Sequence, residues 1–268
     1  MKGILQIGWQ KGSRRRILAL AFPLLWLGVG AGAEAEEGKP ATSVRVGLYV
    51  DAGTGDSREK VASAVKLDPD CNVTRLTAAD IQAGKLRDID VLIHPGGSAS
   101  GQGKALGETG RAEVRSFVEK GGGYLGFCAG AYLATNDYSW SLGLIDAKVV
   151  DRKHWARGKG PVTVSLSPTG KSLLGADAEE VTFYYAQGPL LARREWPDQK
   201  TPAYESLGLF ASEIAKNGAP SGIMAGTTAV ARAEFGQGRV FCFSPHPELT
   251  EGIESFVARA VRWVAKRD

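Results

Sequence analysis

"GGGYLGFCAGAYLA", residues Gly121 to Ala134, decides how this chain is read. A short apolar run, "YLGF", ends at Cys128, and a helix-like apolar run follows. Gly126 and Gly130 flank the thiol, each two residues away. An inert core cysteine needs no such spacing. A strand that turns sharply into a helix does, because the turn crowds the backbone, exposes one side chain at the top of a sheet and tolerates only small neighbours. G-x-C-x-G is therefore read as a nucleophile elbow with sulfur in place of a serine hydroxyl. The N-terminus of the following helix points at that side chain, a setting that favours a thiolate.

Outward from the elbow the chain alternates strand and helix. "VRVGLYV" (Val44 to Val50) is an apolar run closed by the turn-rich "DAGTGDS", with a helix predicted from near Ser57. "CNVTRLT" (Cys71 to Thr77) is rich in β-branched residues, and "AADIQAGKL" predicts a short helix. "DVLIHPGG" (Asp90 to Gly97) is a second buried strand running into a Pro-Gly-Gly break. A glycine-rich loop is expected before "GETGRAEVRSFVEKGGG", whose helical stripe is Val114, Phe117 and Val118. Strands alternating with helices imply βα units and a mainly parallel sheet. In the second half "AKVVDRK", "GPVTVSLSP", "EVTFYYAQGP", "SLGLFASE" and "GIMAGTTAVARAEFGQGRVFCFSP" contain many short β-like runs punctuated by Gly and Pro. These predict antiparallel additions at one sheet edge, with "EFGQGRV" as a hairpin turn. An amphipathic helix is predicted from Thr250 to Lys266, apolar at Ile253, Phe256, Val257, Val261 and Val264.

In an open parallel sheet, functional groups gather at the carboxyl ends of the strands. Both "DVLIHPGG" and "YLGFC" deliver their last residues there. A free thiol, with a pKa of ~8.5, needs activation near neutral pH, and a histidine held by a carboxylate supplies it. His246, in "FCFSPHPELT", ends the most apolar late strand and has Glu248 two residues on, across a proline-stiffened turn. His94 lies inside a strand before Pro95 and is predicted in the core or a pocket wall. His154, in "DRKHWARGKG", is predicted at the surface. Acyl transfer also needs two N–H donors aimed at the developing oxyanion. Ala129, directly after the nucleophile, supplies one and Gly97 in the Pro-Gly-Gly turn the other. A lone PGG is a weak signal, whereas PGG, G-x-C-x-G and H-x-E in this order form a strong one.

These motifs resemble those of the class I glutamine amidotransferase-like superfamily, whose members carry a Cys-His-Glu triad in G-x-C-x-G and H-P-E. Within it, "YLGFCAGAYLA" and "FSPHPE" are most similar to the family named for the N-terminal domain of biotin-protein ligase. The resemblance covers Val44 to Lys266. It implies an α/β fold, a flavodoxin-like three-layer sandwich with a mainly parallel sheet and antiparallel additions at one edge. It implies Cys128, His246 and Glu248 as the catalytic triad and Gly97 and Ala129 as the oxyanion hole, with no metal or cofactor required. Glutamine-using members commonly extend the elbow to G-x-C-x-G-x-Q, and here the last position is Tyr132. That departure argues against glutamine as substrate. The family name carries no biotin ligation, since no ligase domain is read in this chain.

Composition bounds the rest. With 268 residues, 43% of them apolar, the chain has ample material for one large α/β domain. Residues 1–33 have the layout of a secretory signal peptide: Lys2, Lys11 and Arg14 to Arg16, an apolar run from Ile17, and an A-x-A pattern at Ala31 and Ala33. The run is shorter than the ~20 residues of a membrane span and is broken by Pro23, so no stable membrane anchor is expected. "SRRRILA" (Ser13 to Ala19) also resembles a twin-arginine export signal. Residues 34–43 are read as a polar leader and 44–268 as the domain, exported to the periplasm or outside the cell. Cleavage would remove five basic residues and no acidic one, turning a formal charge of +4 into −1. A nucleic-acid partner is therefore not expected. Three cysteines, Cys71, Cys128 and Cys242, leave at least one thiol unpaired or paired between chains. Cys242 sits in an apolar run and is read as core; the burial of Cys71 is left open.

"FYYAQGPL" either lines the site with Tyr185 and Gln187 or simply packs its aromatics on a strand, and both readings stand. With Tyr132 these are the candidate substrate-binding residues. The whole predicts an exported hydrolase or acyl-transferase acting on the carbon–nitrogen (amide) bond of a small-molecule or peptide-like substrate. Two rivals remain: a true glutaminase or glutamine amidotransferase, and a binding module that keeps the fold without turnover.

Overall fold

The apolar runs on either side of the elbow become the centre of one sheet. A computed structural model describes residues 43–194 and 201–267, so the predicted signal peptide and all of the leader but Ser43 lie outside the described residues. Val44–Tyr49 (β1), Cys71–Leu76 (β2), Val91–His94 (β3) and Gly123–Phe127 (β4) alternate with Ser57–Val65 (α1), Ala78–Gln82 (α2) and Ala99–Glu119 (α3). Every residue of β3 and β4 is buried, as a parallel strand between two helical layers requires. Thr77 starts α2 with a capping box: its hydroxyl accepts from the Asp80 N–H while the Asp80 carboxylate accepts from the Thr77 N–H.

Past Ala129–Ala134 (α4) the strands shorten and reverse. Ala147–Val149 (β5), Lys159–Leu166 (β6), Glu180–Ala186 (β7), Leu191–Arg193 (β8), Glu205–Phe210 (β9), Thr228–Phe235 (β10) and Gly238–Phe243 (β11) precede Ser255–Val264 (α6). The sheet order is β2-β1-β3-β4-β11-β10-β9-β6-β7, with β5 and β8 paired beside β10. From β2 to β11 all neighbours run parallel, and from β11 onward all run antiparallel. The hairpin at "EFGQGRV" is the β10–β11 turn, with Phe235 opposite Gly238 and Gly236 at φ 59. This is the expected sandwich with its antiparallel extension at one edge.

Alternation along β4 and β11 builds a core on each face. Leu125, Phe127, Phe241 and Phe243 meet Val61, Phe256 and Val261 of α1 and α6. Tyr124, Val240 and Cys242 meet Leu106, Val118 and Leu133 of α3 and α4 on the other side. Each such side chain, fully buried, contributes roughly 1.5–3 kcal/mol.

Two expectations need correction, and one element is not anticipated in the sequence. The glycine-rich loop before α3 is the first half of α3 itself. Ser98 caps it by accepting from the Gly101 N–H, and the only non-helical residue inside is Gly107 at φ 61. Its glycines give close approach: a Cβ on Gly103 would lie 2.5 Å from the Trp140 carbonyl. The segment Pro168–Leu174 (α5), which begins at the end of the β-like run "GPVTVSLSP" and is otherwise unassigned in the sequence, is a helix with Ser167 as its cap and proline in its first turn. The closing helix is shorter than predicted, because Gly252 at φ 88 interrupts it before Ser255.

Candidate active site

The thiol sits at the point where β4 becomes α4. Cys128 has φ 49 and ψ −96, a backbone state that non-glycine residues hold only where the surroundings impose it, at a cost of about 1–3 kcal/mol. Here its N–H donates to the Phe243 carbonyl on neighbouring β11 at 2.8 Å, and its own carbonyl accepts from the Tyr132 N–H at 3.0 Å. The two flanking glycines have steric reasons. A Cβ on Gly126 would lie 2.5 Å from the Gly130 carbonyl carbon, and one on Gly130 would lie 2.1 Å from the His94 carbonyl oxygen. The G-x-C-x-G spacing is thus the spacing of a turn in which three backbones touch.

β11 runs parallel to β4 with Phe243 opposite Phe127, so His246 leaves the sheet beside Cys128. Its Nδ1 lies 2.7 Å from Glu248 Oε1, and both side chains are buried. Its backbone is fixed from the far edge of the sheet. The His246 N–H donates to the Tyr184 carbonyl of β7 at 2.8 Å, and the Thr250 hydroxyl donates to the His246 carbonyl at 2.7 Å. With Nδ1 engaged, Nε2 is buried and meets no nitrogen or oxygen partner among the described residues. The group beside it is Cys128. A Cβ on Gly96 would stand 2.8 Å from His246 Cε1 and 3.7 Å from Cys128 Cβ, so imidazole and thiol share the space above Gly96. Burial alone would push the His246 pKa down. The charges of Glu248 and Cys128 and the hydrogen bond to Glu248 outweigh it, raising the pKa to about 10 and favouring the imidazolium at neutral pH.

Ala129 and Gly97 stand at the carboxyl ends of the adjacent strands β4 and β3. Ala129 opens α4, where an N–H has no helical acceptor. Gly97, at φ 140, is held by a bridge to Thr54, and a Cβ there would lie 2.2 Å from the Gly53 carbonyl oxygen. Only glycine fits.

Cys128 opens into a cavity of about 300 Å³ that Gly97, Tyr132 and Gln187 also line. Gln187 reaches it by leaving the strand alternation at φ 68. Burial, with Tyr185 and Cys128 nearby, holds the Tyr132 hydroxyl well above the usual tyrosine range, so it stays a neutral O–H. Tyr185 does not line the cavity. It is fully buried, donates its hydroxyl to the Gly188 carbonyl at 2.8 Å and packs edge-on against Phe210, so the packing alternative holds for it.

The outer wall comes from residues not singled out in the sequence. Tyr138 stacks on Trp140 with centroids 4.4 Å apart, and the Arg152 guanidinium lies 4.1 Å above the Tyr138 ring. Trp155 completes this wall. Behind it Arg157 is 1% exposed and donates to Asp151, which also takes His154 Nδ1 at 2.6 Å. The second guanidinium nitrogen of Arg157, Nη1, is buried without a partner among the described residues. The only sequence signal for this wall was a cluster of aromatics and arginines in "NDYSW" and "DRKHWARG".

The remaining candidates fall outside the site. His94 is a core histidine stacked between Tyr49 and Tyr124, with Nδ1 2.9 Å from Gln102 Oε1. Cys242 is fully buried in the core, and Cys71 is buried too. Larger hollows, of about 410 and 660 Å³, lie along surface helices and contain no thiol or histidine. Among the described residues no cluster of three or more His, Cys, Asp or Glu is placed to hold a metal, and no helix is long and apolar enough to cross a membrane.

Residues 48–160 match the family model described as biotin-protein ligase, N terminal, a span that includes β1 to β4, the Gly97 turn and the elbow. No curated protein matches the sequence. Among solved structures the chain is similar to a protein from Thermoplasma acidophilum described as a GMP synthase component, with TM-score 0.54 and 16% identity over 84% of this chain and 94% of that one. It is also similar to a ThuA-like protein from Parabacteroides merdae, with TM-score 0.55 and 11% identity over 83% and 90% of the two chains. A cytoplasmic protein from Salmonella typhimurium gives TM-score 0.53 and 10% identity over 82% and 98%. The fold is amidotransferase-like, with a segment like the N-terminal part of biotin-protein ligase.

Proposed function

We propose that this chain is an exported cysteine-dependent hydrolase or acyl-transferase that acts on a carbon–nitrogen (amide) bond. The observation that carries the reading is Cys128 at positive φ, sharing the space above Gly96 with a buried His246 that Glu248 holds through Nδ1. Cys128 sulfur attacks the amide carbonyl. The carbonyl electrons move to oxygen, where the Gly97 and Ala129 N–H groups receive the charge; one such donor is worth roughly 10²–10³ in rate. His246, as imidazolium, donates its Nε2 proton to the leaving nitrogen while the carbon–nitrogen bond breaks, leaving a thioester. Neutral His246 then takes a proton from water or an acceptor nucleophile, which attacks the thioester and releases the thiolate. Glu248 keeps Nδ1–H engaged, so Nε2 faces the reaction.

Tyr132 speaks against glutamine as substrate. A ring in place of an amide side chain narrows the cavity beside Cys128 and removes a donor–acceptor pair, and a site missing such a partner discriminates by up to ~10⁴–10⁵. The decisive experiment screens purified protein against amide and peptide libraries, with Cys128→Ala as control and millimolar glutamine as one substrate. Cys128-dependent cleavage of an amide other than glutamine is expected. Robust ammonia release from glutamine that vanishes in Cys128→Ala would establish the glutaminase instead, and no turnover of any amide would leave a binding module. The export half of the proposal is read by intact mass: secreted material should begin near Glu34.

A further inference from the structure

Among the described residues, Arg152 is the only Lys, Arg, Asp or Glu that lines the cavity beside Cys128. Its lining is thiol, aromatic, amide, hydroxyl and backbone, except for Arg152, and no described carboxylate lines it. Arg152 is also held in a definite pose, its guanidinium 4.1 Å above the Tyr138 ring, which is itself stacked on Trp140. The Arg152 side chain is 53% exposed, so its N–H groups are within reach of a ligand entering the cavity. Its carboxylate neighbour, Asp137, is 3.9 Å away, at the limit of an ion pair. Asp137 also faces Arg194 at 3.3 Å and accepts from the Val149 N–H at 3.1 Å. The charge of Arg152 is thus only loosely compensated on the protein side.

Two further features bias the cavity the same way. The first turn of α3 borders it at Ser98, Ala99 and Ser100, presenting the positive end of the helix dipole. Arg157 lies behind the wall, near enough for its charge to act on the Tyr132 and Tyr185 hydroxyls. Arg157 is itself paired with Asp151, so the bias rests chiefly on Arg152 and the helix end.

We infer that Arg152 is a specificity-determining residue and that the substrate is an amide bearing a carboxylate, which Arg152 takes as a two-pronged ion pair while the amide carbonyl lies at Cys128. This rests on the amide-cleaving reading above and narrows its substrate class to acyl-amino-acid or peptide-like monoanions. One cation matches one carboxylate. A phosphate dianion would leave charge uncompensated at Arg152, the one guanidinium in the lining. The volume of about 300 Å³ suits a small ligand, and the Tyr138–Trp140 wall offers its remaining body an apolar aromatic face.

Two alkylating probes of nearly equal size and opposite character test this on the mature chain: iodoacetate carries a carboxylate, and iodoacetamide an amide. The rate of each at Cys128 is measured at low ionic strength by peptide mass mapping, with 2-mercaptoethanol in the same tube as a neutral reference thiol. The ratio of rates cancels any general change in folding or thiol accessibility. At Cys128 the iodoacetate-to-iodoacetamide ratio should exceed that of the reference about tenfold, the size of a charge-assisted contact in a half-shielded site. Arg152→Gln should lower the ratio about tenfold while the iodoacetamide rate stays within about twofold, and Arg152→Lys should keep part of the preference. A ratio unchanged by Arg152→Gln, with Cys128 still labelled, overturns the inference and leaves the nucleophile in place. Failure of both reagents at Cys128 overturns the amide-cleaving reading and the inference with it.

Discussion

Gly96→Ala inserts one methyl group between the two groups that the proposed chemistry needs in register. Gly96 is not in the left-handed region, so alanine is acceptable to the backbone and only space is at issue. The new Cβ would stand 2.8 Å from His246 Cε1 and 3.1 Å from Ser57 Oγ. Carbon atoms settle at about 3.5–4.0 Å, so the imidazole or the end of β3 must move by roughly 0.7–1.2 Å. The imidazole has little slack, with Nδ1 bonded to Glu248 and its backbone to Tyr184. A misplacement of about 1 Å costs on the order of 10²-fold in rate, whereas overpacking of this kind costs about 1–3 kcal/mol of stability. Turnover should therefore collapse in a protein that remains folded. Cys128 alkylation by iodoacetamide at pH 6 should fall to the level of His246→Ala, because the cation beside the sulfur is displaced. Gly55→Ala, on the facing turn, is the control: its nearest neighbour would be the Gly96 carbonyl oxygen at 3.4 Å, an ordinary contact. Should Gly96→Ala alkylate with the rate and pH profile of the wild type, the placement of His246 against Cys128 is wrong.

Among the three thiols Cys128 should label first in the native protein. Burial and the Asp68 charge push the Cys71 thiol up to about 12, and Cys242 is raised further by complete burial; labelling of Cys71 ahead of Cys128 in a peptide map would reverse the assignment. A separate acid sensitivity follows from His94, whose pKa burial lowers to about 4 despite the Gln102 bond. The unfolded chain takes up that proton near pH 6.5 and the folded chain only near 4, so the contribution is whole above pH 6.5 and shrinks as pH falls, by about 3 kcal/mol in all. Urea midpoints between pH 7 and 4 should show this fall, and His94→Phe, which keeps the ring stack, should lose most of it; equal slopes in both proteins would refute it.

The elbow, the parallel strands and the H-x-E turn were legible because each is a local pattern with a local cause. Glycines two residues either side of Cys128 are demanded by contacts within the same turn and with the adjacent His94 backbone, so the spacing survives in the sequence. The outer wall was not legible. Tyr138, Trp140, Arg152 and Trp155 come from irregular segments with no period, and only the folded chain brings them to the thiol. Tyr185 and Gln187 show the same limit within one strand. Parity puts Tyr185 on the face of Phe183, in the core, and Gln187 reaches the cavity by a positive φ that nothing in "FYYAQGPL" announces. The first half of α3 was hidden by its glycines, which mark close packing there as readily as they mark a loop elsewhere.

The return of β7 to the site bears on when the protein becomes reactive. Cys128 meets the Ala186 carbonyl 58 positions along the chain, and Tyr184 meets Thr250 at a separation of 66. Contacts of that span close late, after the loops between them have been gathered. A growing or truncated chain that has completed β4 and α4 already carries the thiol, yet it lacks both the base and the strand that pins the base. Nucleophilic power would arrive only with the last thirty or so residues, so the rate of Cys128 alkylation is a clock for completion of the whole domain.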